Sequence, residues 1–154
     1  MSRKWYGNLS NRIDEDRQFC SEIEVGTGVT EYHWSDRDAY EVIEVKDQKH
    51  VTVREYDHIH IGAPMTNHWE LVSNENNPTR NLEKRGKYWY WVSSITLDEY
   101  LSLPEIDEHG MPRDLKACLA GFDPQVIIDK GKQTRRFRAH VSFGVADYHY
   151  DYEF

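Results

Sequence analysis

Cysteine is scarce in this chain. Cys20 and Cys118 lie far apart and outside any Cys-x-x-Cys or other metal-type spacing. That excludes a disulfide framework and points to a reducing compartment, with both thiols expected to be buried and inert. No apolar run approaches the roughly 18 residues of a membrane span, and no leader pattern precedes the first element. The sequence is therefore expected to stay in the cytoplasm, off the membrane. Basic charge is short as well: 19 Lys and Arg stand against 27 Asp and Glu, a net charge of −8. A generic duplex-binding face needs the opposite balance, so duplex nucleic acid is not an expected partner. Missing too are a glycine-rich phosphate loop, a nucleophile elbow, and any Ser-His-Asp or Cys-His arrangement with a local signature. No cofactor is implied.

Aliphatic residues are also few, but aromatic ones are not. Five Trp and ten Tyr can bury large areas while keeping a polar tip wet. A length of 154 residues fits one domain, able to bury roughly 68–70% of its unfolded surface without a staple. No internal repeat or linker divides it. The charges are mostly interspersed, apart from an acidic stretch over 98–114 and a basic one over 130–138. Both read first as solvated faces, the basic one alternatively as an anion-holding strand.

The apolar period changes along the chain. Residues 5–19 read as a short helix, with Gly26 and Gly28 breaking the chain after it. Alternation follows over 30–34, and the turn residues Ser35, Asp36, Arg37 and Asp38 come next. Residues 39–45 and 50–56 form the best hairpin, around a loop at 46–49, with Val51 and Val53 on one face. A third strand is expected over 66–73, and a hairpin of 79–84 with 87–93 around Arg85 and Gly86. Thr96 should cap a helix over 97–103 that Pro104 ends, and Pro112 should open a second one that ends at Gly121. Residues 125–129 and 134–145 read as closing strands. The expected fold is a mainly β, partly open antiparallel barrel or curled sheet with an N-terminal helix and one or two short inserted helices. Within its single domain, helix and loop occupy 1–28, a β-meander 29–93, short helices 94–121 and closing strands 122–154.

Three constellations could carry chemistry. His50 with Thr52, and His140 with Ser142, each place an imidazole beside a hydroxyl on one strand face. Two such pairs across one cleft would hold a phosphate and supply a general acid and base. They resemble the double motif of the two-histidine phosphoesterase superfamily, which acts on cyclic phosphodiesters, over eight residues only. The plainer reading is two ordinary strands. His58 and His60, beside Asp57 and with His68 further on, share a strand face and could chelate an ion. A solvated strand end accounts for them more simply, because no third ligand has a recognised spacing. The last set is Trp34, Arg37, Arg54, Trp69, Arg80 and Tyr88, with Tyr90. Rings stack on bases and Arg forks grip phosphate, so on one concave face these would suit a nucleotide-like ligand. The plainer reading is aromatic core with salt bridges at its rim.

A wider resemblance runs through Lys4-Trp5-Tyr6-Gly7-Asn8, Val25-Gly26-x-Gly28-Val29-Thr30-Glu31, Tyr32-x-Trp34-Ser35-Asp36-Arg37, the strand pair at 40–45 and 51–54, and the ending Tyr150-Asp151-Tyr152-Glu153-Phe154. Together these resemble an uncharacterised family of small proteins encoded by bacteriophages and prophages. The resemblance implies other residues at positions 50 and 140 in that family, which counts against a shared histidine-based site. The resemblance supplies a bacterial host-cell context and no mechanism; with the missing catalytic signature and the aromatic and Arg strands, that context leads to an accessory binding protein expected to blunt defence by sequestering a nucleotide-type signal or a host defence protein. The alternatives are the phosphodiesterase and a virion or morphogenesis component. Self-association is left open.

Overall fold

Why the chain folds as a curled sheet is clearest where its two edges meet. The computed structural model describes Asn11 and residues 22–152. The described strands are β1 (Gly28–Tyr32), β2 (Arg37–Asp47), β3 (His50–Glu55), β4 (Asp57–His60), β5 (Trp69–Val72), β6 (Thr79–Arg85), β7 (Tyr88–Thr96), β8 (Lys132–Ala139) and β9 (Val141–Gly144). Between β7 and β8 come α1 (Leu97–Ser102), α2 (Arg113–Leu119) and α3 (Pro124–Lys130). Seven strands form one antiparallel sheet in the order β8-β7-β6-β3-β2-β1-β9, while β4 pairs only with β5. The outermost strands, β8 and β9, are separated by the single residue His140. One residue cannot cross a flat seven-stranded sheet whose strands lie about 4.8 Å apart, so the sheet must curl.

Period-two patterning sets the inner face. Val29 pairs with Tyr40 and Phe143, Val42 with Val53, Val45 with Val51, and Val51 with Leu82. These side chains, with Trp89, Trp91, Ala139, Val141 and Ile23, make the core of the first compact unit, residues 1–91 and 138–154. A second unit spans residues 92–137, with its own small core of Tyr100, Ala117 and Ile127 against Ile95, Leu97, Leu103 and Phe122. The β4–β5 ribbon would be marginal alone. It is tied down by Asn67, whose amide donates to the Tyr150 carbonyl and accepts from the Tyr150 N–H.

The sequence locates most elements within a residue or two. Thr96 caps α1, accepting from the Glu99 N–H, and α2 begins directly after Pro112. Three expectations fail or fall elsewhere. Residues 125–129 are helix, not strand: Asp123 accepts from the Gln125 N–H, Pro124 occupies the first turn, and Gly131 ends the helix at φ 74°. Cap, Pro and Gly outweigh the β-branched run Val126-Ile127-Ile128. Cys118 is exposed rather than buried, because α2 turns Ala117 inward instead. The helix expected over 5–19 lies outside the described residues apart from Asn11, which is helical and buried.

Candidate functional site: a polar rim and its cleft

The inner face changes character along the strands. Near Val45, Val51 and Leu82 it is aliphatic; toward the other end the same face carries Glu31 opposite Asp38, Glu55 opposite Tyr40, and Arg80 opposite Val53. Period two thus delivers three acids and an Arg to the rim of the core. Glu31 is only 9% exposed. Its carboxylate accepts from Trp91 Nε1 at 2.6 Å and from the Tyr40 hydroxyl at 3.2 Å. His33 Nε2 sits 3.3 Å from Glu31 and 2.7 Å from Asp38. Arg80 lies 3.7 Å above the Trp91 ring and donates to the Tyr40 hydroxyl.

The electrostatics follow from these contacts. Hydrogen bonds to Asp38 and Glu31 outweigh burial at His33 and raise its pKa to about 10, so it is an imidazolium at neutral pH. Burial pushes Glu31 up, but His33, Trp91 and Arg80 pull it further down, and it stays ionised. Burial pushes the Tyr40 phenol well above its ordinary value, making it a donor and not a base. Glu31, His33 and Asp38 each offer a ligand atom within 4.8 Å of the others. A divalent ion there would have to displace the proton that now lies between the two carboxylates.

Glu55 differs from its neighbours. Its backbone carbonyl accepts from Asn77, but its carboxyl has no hydrogen-bond or ion-pair partner among the described residues. Burial raises its pKa, Asp38 and Glu31 raise it further, and His58 and Arg80 oppose them. Glu55 is also one of the residues that line a cleft of about 460 Å³, with Tyr56, Asp57, His58, Ile59, Asn77 and Pro78. Beside the cleft His58 stacks on Tyr148 at 3.7 Å, and Trp69 meets both rings edge-on. Neither Glu31 nor Glu55 stood out in the sequence. The signal was an acid at a position where the strand's alternation calls for an apolar residue.

The residues expected to form a ligand shelf are separated. Arg54 and Arg80 lie on opposite faces: Val53 pairs with Arg80, while Arg54 pairs with Glu41 and Thr79. Arg54 holds Glu41 at 2.8 Å, and Arg37 holds Asp147 at 2.9 Å and Asn11 at 2.8 Å. Tyr88 alternates with the buried Trp89, so it faces away from the core and lies under the Arg138 guanidinium, as Tyr90 alternates with Trp91. Trp34 is 60% exposed in the turn after β1. Trp69 belongs to the ribbon, and only Arg80 reaches the rim.

The two histidine pairs are also apart. His50 neighbours Asp47 at one end of β2, whereas the His140 carbonyl accepts from Tyr32, which neighbours Arg37 at the other. Ten residues of strand, roughly 30 Å, lie between those ends. Thr52 bonds Asn81, and Ser142 is buried against the Tyr32 hydroxyl. Two imidazoles so placed cannot share one phosphate. In the ribbon, His60 Nε2 faces the Thr66 carbonyl at 2.7 Å while His58 lies in its ring stack; the clustered His and acid ligand atoms are those of Glu31, His33 and Asp38.

No protein-family model matches this chain, nor does any curated protein or solved structure.

Proposed function

We propose that the protein is an accessory binding protein whose ligand site is the polar rim with its adjoining cleft. The observation that carries this reading is Glu55, an acid on the core face of β3 that lines the cleft and whose carboxyl has no hydrogen-bond or ion-pair partner among the described residues. Buried polar groups are ordinarily satisfied within the fold, so a partly buried group left over at a cleft marks a place kept for something else. Binding is favoured over catalysis because the nearest acid–base candidates are engaged: His33 between two carboxylates, His58 in its stack, Tyr40 between Glu31 and Arg80. The bacteriophage-family resemblance supplies the context, a small protein that sequesters a host nucleotide-type signal or a defence protein. Arg37, Arg54 and Arg80 each already hold a carboxylate or a ring, which weighs against recognition through phosphate.

Calorimetry against cyclic nucleotides, ADP-ribose derivatives and cationic small molecules, followed by chromatography of the mixtures, tests the proposal. A bound compound should be recovered intact, and the Glu55→Gln variant should lose its heat. Steady conversion of any compound into new products would overturn the binding reading in favour of an enzyme.

A further inference from the structure

The cleft beside Glu55 has a charge pattern that narrows what it takes. Its charged lining residues are Glu55 and Asp57, with no Lys or Arg among them. Asp57 is a fixed charge: Asn77 and Asn74 donate to its two oxygens at 2.9 and 2.8 Å and hold its pKa below the usual value. The loop carrying those amides is itself braced, with the Asn76 N–H on Asn74 Oδ1 and the Asn77 amide on the Glu55 carbonyl. Glu55, lining the same cleft, is the contrasting case, its carboxyl without a donor among the described residues. Aromatic and apolar surface completes the lining through Tyr56, His58, Ile59 and Pro78. Two of the basic groups near it among the described residues are held elsewhere. Arg80 is committed to Trp91 and Tyr40, and His33 to Glu31 and Asp38.

Resting on the binding reading above, we propose that this cleft binds an organic cation, an ammonium or guanidinium group, with Glu55 as its counter-ion. Asp57 supplies the standing negative potential, and the Tyr56 ring supplies a face for the cation's apolar flank. A guanidinium would pair with Glu55 through two parallel N–H donors, the geometry that a carboxylate accepts best. Such a group comes either from a free polyamine or from an Arg or Lys side chain of a partner protein, and both present the same chemistry to the cleft.

Proton–nitrogen correlation NMR on the full chain tests this, with agmatine and spermidine as free cations, the peptide Gly-Arg-Gly as the protein-borne form, AMP as the anionic control and Mg²⁺ as the inorganic one. Agmatine or the peptide should shift the amides of Glu55, Asp57, His58 and Asn77. Whichever binds more tightly identifies the source. Affinity should fall at least tenfold in Glu55→Gln and several-fold in Asp57→Asn, and it should weaken with added salt. Because the Glu55 carboxyl has no partner among the described residues, Glu55→Gln should melt no lower than wild type; if it does, Asp57→Asn carries the comparison. Cations that leave those amides unmoved, or that bind Glu55→Gln as well as wild type, overturn the assignment, as does a stronger response to Mg²⁺. If AMP moves the same amides and the cations do not, the ligand class is wrong and the binding site stands. If no probe moves them, both fall.

Discussion

His33 has the most perturbed environment of the described imidazoles, held between two carboxylates at the start of the turn that joins β1 to β2. That pairing makes stability depend on alkaline pH. The folded pKa, about 10, lies above the ordinary 6.5. The contribution is therefore complete below about pH 6.5 and is lost as pH climbs through 10. Urea midpoints measured at pH 6, 8 and 10 should fall steadily in the native chain. In His33→Gln they should start lower and decline less. Equal slopes in the two proteins would show that the imidazolium does not brace the turn. Glu31 acts at the opposite limit: its lowered pKa makes acidification below the carboxylate range destabilising. The partial exposure of His33 keeps its share modest, since solvent screens the pair.

Among the elements, the strands of the inner face enclose their aliphatic side chains almost completely. Leu82, 1% exposed and opposite Val51, is its largest fully buried side chain. Leu82→Ala should cost about 2–5 kcal/mol by chemical denaturation, and a loss below about 1 kcal/mol would mean that the strand relaxes into the space. This part of the fold was legible because alternation is a local code. Val51 and Val53 against Thr52 and Arg54 name their faces without any tertiary information. The helix at Pro124–Lys130 was misread for a physical reason: Val126, Ile127 and Ile128 carry β propensity, yet only Ile127 is buried, and the punctuation by Asp123, Pro124 and Gly131 decides the outcome. The ligand-shelf residues failed differently. Trp34, Arg54, Trp69 and Tyr88 were grouped by residue type, and a shared type says nothing about a shared face. Placing Arg54 and Arg80 on opposite sides requires the pairing of Val53 with Arg80, a register that no single-strand pattern contains. The rim was partly visible as acids interrupting apolar alternation, but its assembly from β1, β2, β3, β6 and β7 needed the strand order.

At the scale of the molecule, the sheet's order sets which ends of the chain must meet. The Thr30 hydroxyl donates to the Val145 carbonyl, 115 residues away, and accepts from the Asp147 N–H. β1 pairs with β9 along four residues, so the first strand of the sheet is flanked by the last. During synthesis, β1 emerges with one hydrogen-bonding edge unmet until β9 has been made. Separations this large slow folding to the millisecond-to-second range and leave an edge open to aggregation meanwhile. A chain stopped after His140 should therefore remain protease-sensitive and self-associate, while one extended through Tyr152 should gain protection in one step. Protection appearing already at His140 would mean that the sheet closes without its final strand. Until β9 is made, then, the nascent sheet keeps an open edge and has no completed wall to offer a partner.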